Sequence, residues 1–258
     1  MKATIDMAIE GIGAWSTAWA NWTEAREVLS GNREPQIQTG KPAAAILSAG
    51  ERRRATDSVR LALDVAGQAC TMAGREPDTL ANVFASGYGD LQISDYLCAT
   101  LAANPRDISP TRFHNSVHNA AAGYWAIATG CRLSSTAISA GKTTFGAGLI
   151  ESVLQAMDLN APVLFVASDI AASGPLADVV ACREAFGVAM VLSPASTCHG
   201  VHITLGLAPA VHLPQATEDG NPAAHSLPLL RAIALRRRSS VTLAAGPDLY
   251  IDVEMQFD

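Results

Sequence analysis

The segment SSTAISAGKTTFGAGL, residues 134–149, sets a lysine and two threonines directly after a glycine. Gly141, Lys142 and Thr143 match the end of the phosphate-loop pattern G-x-x-x-x-G-K-[ST], in which backbone amides wrap phosphate and the lysine reaches it. The apolar run PVLFVASD further on ends at Asp169, a carboxylate of the kind that holds magnesium in such sites. Two features oppose a nucleotide site. The first glycine of the pattern is replaced by Thr136, and the chain before it is an apolar, small-residue stretch rather than an opening strand. Other roles for Lys142 are a side chain that fills a site or bends to solvent, a partner in an ion pair, and an amine nucleophile whose pKa is depressed by desolvation. Ser139 is a second candidate nucleophile, with a structural role on its strand as the plainer reading.

The chain that must position these groups has 258 residues, enough for a substantial core. It is 49% hydrophobic, 5% aromatic and 16% charged, so small aliphatic side chains carry the apolar content. The charged fraction lies below the roughly 25% usual for soluble domains, which points to surface covered by a partner or to a tightly packed monomer. A net charge of −6 without a basic stripe argues against nucleic acid. The short clusters Arg52-Arg53-Arg54 and Arg236-Arg237-Arg238 read as solvated helix ends. Cys70, Cys98, Cys131, Cys182 and Cys198 are scattered, with neither zinc-ligand spacing nor a disulfide framework. Asp6 and Glu10 interrupt the only candidate signal-peptide core, and no run of apolar residues is long enough to span a bilayer. A cytoplasmic protein is expected.

Strands are predicted at residues 4–13, 81–90, 134–139, 161–170, 186–194 and 202–207, with a closing hairpin over 240–255. Helices are predicted at 19–29, 53–74, 91–103, 113–128 and 144–157, and over SLPLLRAIALRR (226–237); residues 208–225 read as a loop. Alternating strands and helices indicate an α/β layered fold.

With its flanks, residues 134–149 resemble the nucleophile region of a β-ketoacyl synthase, of the thiolase-fold superfamily. IEGIGAWS (9–16), ANWTEAREVLSG (20–31), ERRRATDSVRLALDVA (51–66) and VFASGYGDLQ (83–92) are similar to successive elements of that family. The most specific match is SPTRFHNSVHNAAAGYWAIATGCRLSS (109–135), where Asn119, Gly123, Gly130 and Arg132 fall on matching positions. The resemblance covers about residues 4–195. It implies a thiolase-like layered α-β-α fold with a shortened second half: residues 1–195 as the N-terminal-like half, and 196–258 as a truncated second half packed on the same domain.

In that register Lys142 holds the place of the catalytic cysteine. A thiolate is the nucleophile of acyl transfer, and an ammonium group cannot form a thioester. Motifs resembling HGTGT and NSFGFGG, which carry the family's two catalytic histidines, are absent; His114, His118, His199, His202, His212 and His225 stand in other contexts. The resemblance therefore implies no catalytic residues in this chain, no metal and no cofactor. It points to a chain-length factor, most similar to the compact class of aryl-polyene systems, that pairs with an active β-ketoacyl synthase and meets an acyl carrier protein through the complex. An independent acyltransferase or thiolase-like enzyme using Lys142 or Ser139 is the alternative. The helix from residue 91 corresponds to one at the family's dimer interface that closes the acyl tunnel. Ser94, Leu97, Cys98 and Leu101 share one helical face and are candidates to line that tunnel, with ordinary core packing as the other reading. Arg112, Phe113 and His118 are interface candidates, and Asn119 is expected to be buried, satisfying backbone groups.

Overall fold

The computed structural model describes residues 4–194, 200–208 and 220–257. In chain order the elements are β1 (Thr4–Ser16), α1 (Trp22–Leu29), α2 (Ala49–Arg54), α3 (Asp57–Ala73), β2 (Ala81–Ala85), α4 (Leu91–Ala103), α5 (Pro110–His114), α6 (Ala120–Thr129), β3 (Ser135–Ile138), α7 (Thr144–Leu159), β4 (Val163–Asp169), α8 (Leu176–Val179), β5 (Phe186–Pro194), β6 (Val201–Ala208), α9 (Leu227–Ala234), β7 (Ser239–Ala244) and β8 (Tyr250–Gln256). The strands form one sheet in the order β3-β2-β4-β5-β1-β6-β8-β7. β2 runs parallel to β3 and β4; the remaining pairings are antiparallel.

Helices cover both faces of the sheet, giving the α-β-α layers that the resemblance implied. One core gathers side chains from α1, α7 and α9, the other from α3 and α6. β1 shows how the sequence divides them. Met7 and Ile9 face the first core; a register shift between Ile9 and Gly11 then moves the alternation by one residue, so Ile12 and Ala14 face it instead. Gly11 and Gly13 are left facing α3, whose backbone approaches so closely that a Cβ at either position would overlap Ala69 or Val65. Helix α3 turns Val59, Leu61, Leu63, Val65 and Ala69, among others, into this contact. Burying each large aliphatic side chain is worth about 1.5–3 kcal/mol.

Three expected elements differ. The helix expected over 53–74 is two helices, because Ala55 is extended and Thr56 caps α3 by accepting from the Val59 amide. A capping box, Ser48 with Glu51, starts α2 as a separate unit. The helix expected over 113–128 also divides, into α5, which begins at Pro110 behind the Ser109 cap, and α6. Within the segment read as a loop, Pro222–Ser226 forms a 3-10 turn; residues 209–219 of that segment lie outside the described residues.

Candidate functional site

β3 leaves its last residue, Ile138, and the chain bends sharply before α7. Gly141 adopts φ +56°, a left-handed conformation that favours glycine, and Gly141–Thr143 form a 3-10 turn. The turn uses its own hydroxyls. Thr144 Oγ1 donates to the Gly141 carbonyl at 2.6 Å and accepts from the Ala140 amide at 2.9 Å, while Thr143 Oγ1 donates to the Ala140 carbonyl at 2.9 Å. Lys142 projects at this bend and is exposed.

This geometry is not a phosphate loop. Thr136, which stands where the first glycine is required, lies inside β3 and pairs with Val83 of β2. Asp169 is 2% exposed and is engaged elsewhere, so it does not serve a nucleotide's magnesium ion. Among the described residues no group of three or more His, Cys, Asp or Glu is placed to hold a metal.

Asp169 organises the loop after β2. Its Oδ1 accepts from Ser86 Oγ at 2.8 Å and from the Tyr88 amide at 3.0 Å; its Oδ2 accepts from the Gly87 amide at 3.1 Å. Burial pushes the carboxyl up to about 6, against the lowering effect of these three donors and of nearby His118. Burial also raises the Tyr88 phenol, with Cys182 and Asp169 adding to the shift. The Asp169 carbonyl accepts from Asn221 Nδ2 at 3.0 Å, which ties in the 3-10 turn before α9.

The anchored loop lies against the bend. Ser139 Oγ donates to the Gly87 carbonyl at 3.1 Å, and a Cβ at Gly87 would collide with Pro222 and with the Gly141 carbonyl. Ser139 sits one residue past β3, in this structural bond. Pro222 belongs to the turn that carries half-buried His225. Burial lowers the His225 pKa, and the charge of Lys142 lowers it further. Sequence reasoning missed this pairing, because the two residues lie far apart along the chain. An apolar, proline-started turn around a histidine was the available signal.

At its far end the loop starts the candidate interface. Asp90 caps α4, accepting from the Ile93 amide at 2.9 Å, and its other oxygen accepts from Ser58 Oγ at 2.7 Å. Ser94, Cys98 and Leu101 are exposed and Leu97 is half-buried, so this face is not part of the core. Arg112 stacks its guanidinium 3.9 Å from the centre of the Tyr96 ring. Phe113 is 63% exposed, and His118 Nε2 lies 3.0 Å from the Ser86 carbonyl oxygen. Asn119 is exposed, contrary to expectation. Four residues earlier, Asn115 is the buried amide, and its Nδ2 donates to the Arg54 carbonyl at 3.1 Å. It occupies the break between α5 and α6 that a continuous helix did not allow for.

None of the described cysteines falls within the bend segment, residues 139–144. Cys70, Cys131 and Cys182 are buried and Cys98 is exposed on α4; burial pushes Cys70 up to about 12. Cys198, His199 and His212 lie outside the described residues. No helix of the described residues is long and apolar enough to cross a membrane.

The eight-stranded sheet, its two helical layers and the strand–bend–helix unit at Lys142 define a thiolase-like ketosynthase fold. The family described as β-ketoacyl synthase, N-terminal domain, matches residues 19–248, and the chain belongs to that family. A solved ketosynthase (ApeO) in complex with its chain length factor (ApeC), from Xenorhabdus doucetiae, is similar at 24% identity and TM-score 0.74, over 97% of this chain and 99% of that one. A type II polyketide synthase acyl-carrier protein in complex with its ketosynthase, AntDE:AntF, is similar at 11% identity and TM-score 0.73, covering 100% of both chains. A β-ketoacyl synthase from Burkholderia phymatum STM815 is similar at 13% identity and TM-score 0.60, over 92% of this chain and 71% of that one. No curated protein matches the chain.

Proposed function

We propose that this chain is a non-catalytic ketosynthase-like subunit, a chain-length factor, that pairs with an active β-ketoacyl synthase and shapes the acyl tunnel in polyketide, aryl-polyene or fatty-acid-like elongation. The observation that carries the reading is exposed Lys142 at the sharp bend between β3 and α7, a place that the register of the family resemblance gives to the catalytic cysteine. In the pair, the partner contributes the cysteine and both histidines, and an acyl carrier protein delivers to it. Residues 196–258 act as the shortened second half.

The open side of the sheet supports pairing. β3 is an edge strand, hydrogen-bonded to β2 on one side, and an uncovered edge invites a second chain. α6, which packs on β3, exposes Ile127 at 73%, and α4 and α5, which follow β2, expose Leu101 at 52% and Phe113 at 63%. On this reading Ser94, Leu97, Cys98, Arg112 and His118 are assigned to the pairing surface, where a tunnel wall would be completed across the interface. The similar ketosynthase solved with its chain length factor gives a precedent for such a pair.

Co-expression with a full-length ketosynthase, followed by native mass measurement, tests the reading. A 1:1 complex is expected; a monodisperse monomer indifferent to that partner contradicts it. The rival reading, an independent acyl-transfer enzyme, draws on the proximity of Lys142 and His225. It requires a stable acyl adduct when the isolated chain meets an acyl thioester.

A further inference from the structure

On the first helical face, α1 and α9 enclose a groove of about 640 Å³ that reaches Ser239 at the start of β7. β7 is the sheet edge opposite β3, so this groove is remote from the proposed pairing surface. Its apolar lining includes Trp19, Leu29, Leu227 and Leu235, and its charged lining residues are both arginines, Arg231 and Arg237. Each is exposed, and neither takes part in the ion pairs found among the described residues. Trp19 is 7% exposed, and its indole N–H has no acceptor among the described residues.

The end of α9 is built to present this charge. Arg237 N–H donates to the Ala232 carbonyl and Arg236 N–H to the Ile233 carbonyl, the Schellman arrangement of a helix end. Its left-handed position, normally glycine, is Arg236 at φ +48°. Interaction with the helix dipole accounts for a cation in the last turn, such as Arg231. It does not account for an apolar cleft between Arg231 and Arg237 on a chain of net charge −6.

We infer that the α1–α9 groove is a docking site for an acidic amphipathic helix of a further protein. Its apolar stripe fills the cleft, and its carboxylates pair with Arg231 and Arg237. The eight residues of α9 span about 12 Å, the length of roughly two turns of such a helix. The cleft is concave, unlike a surface that inserts into lipid, and two arginines are too few for a nucleic-acid track. Carboxylate–guanidinium pairing supplies specificity, and leucine burial supplies the apolar contribution.

The test uses the full chain and a fluorescein-labelled 16-residue probe helix, with glutamates on one face and leucines at i, i+3, i+4 and i+7 spacing, read by anisotropy. The groove predicts saturable binding, weakened at least tenfold by R231E/R237E and by L235E, and abolished when lysines replace the probe's glutamates. R231E/R237E alters exposed positions and L235E a half-buried one, and thermal unfolding checks that both fold. Equal probe binding by wild type and R231E/R237E overturns the proposal. So does binding of phosphatidylserine vesicles, or of a DNA duplex, without binding of the probe. The proposal is independent of pairing: R231E/R237E should still form the 1:1 ketosynthase complex, and failure of pairing in wild type leaves the groove result intact.

Discussion

Replacing Asp169 with asparagine isolates the energetics of the buried carboxylate behind the Ser86–Tyr88 loop. The folded-state pKa, about 6, lies above the ordinary 3.8, because burial outweighs the three donated hydrogen bonds. A gap of that size corresponds to roughly 3 kcal/mol. The sign follows from proton binding. Between pH 4 and 6 the folded chain holds a proton that the unfolded chain has released, so this group's contribution to stability is present below pH 4 and lost as pH rises through 6. The D169N side chain cannot ionise and contributes no such slope. Its carbonyl oxygen can keep the Ser86 and Tyr88 donors, while its amide faces the Gly87 N–H, at a pH-independent cost of about 1–3 kcal/mol. Urea unfolding at a series of pH values, followed by the fluorescence of buried Trp15, Trp19, Trp22 and Trp125, reads both proteins. Between pH 3 and 7 the difference between them should move by roughly 3 kcal/mol in favour of D169N. Parallel profiles, or a gap that moves towards the wild type as pH rises, would refute the reasoning.

Two further perturbations test the packing and the surface. Gly13→Ala places a methyl group against the Val65 carbonyl, so it should destabilise the chain by about 1–3 kcal/mol in chemical denaturation, where an unhindered site would give a slight gain. Cys98 should react with iodoacetamide in the native chain while buried Cys70, Cys131 and Cys182 do not, and it should become protected in the ketosynthase complex; peptide mapping by mass spectrometry reads both results.

The bend at Lys142 was legible because its signals are local: a glycine that must turn left-handed, a short strand before it and an apolar helix after it. The α/β layering was legible for the same reason, through the continuous apolar run of β5, the in-out alternation of β8 and the apolar stripe of α3. The roles of Asp169 and His225 were not. Asp169 acts on residues more than 80 positions away, and in sequence it resembled a metal ligand after an apolar strand. His225 comes under the influence of the Lys142 charge through the convergence of two turns on Gly87, a steric relation that no periodicity encodes. The break at Ala55 and Thr56 was present as a cap signal, but the continuous apolar pattern masked it. Asn119 matched a family position, whereas chain geometry buries Asn115 instead.

The most direct measurement is the intact mass of both subunits after the co-expressed ketosynthase complex is incubated with an acyl thioester. The account predicts one acyl group on the partner's cysteine and an unchanged mass for this chain. An acyl group carried on Lys142 would contradict it.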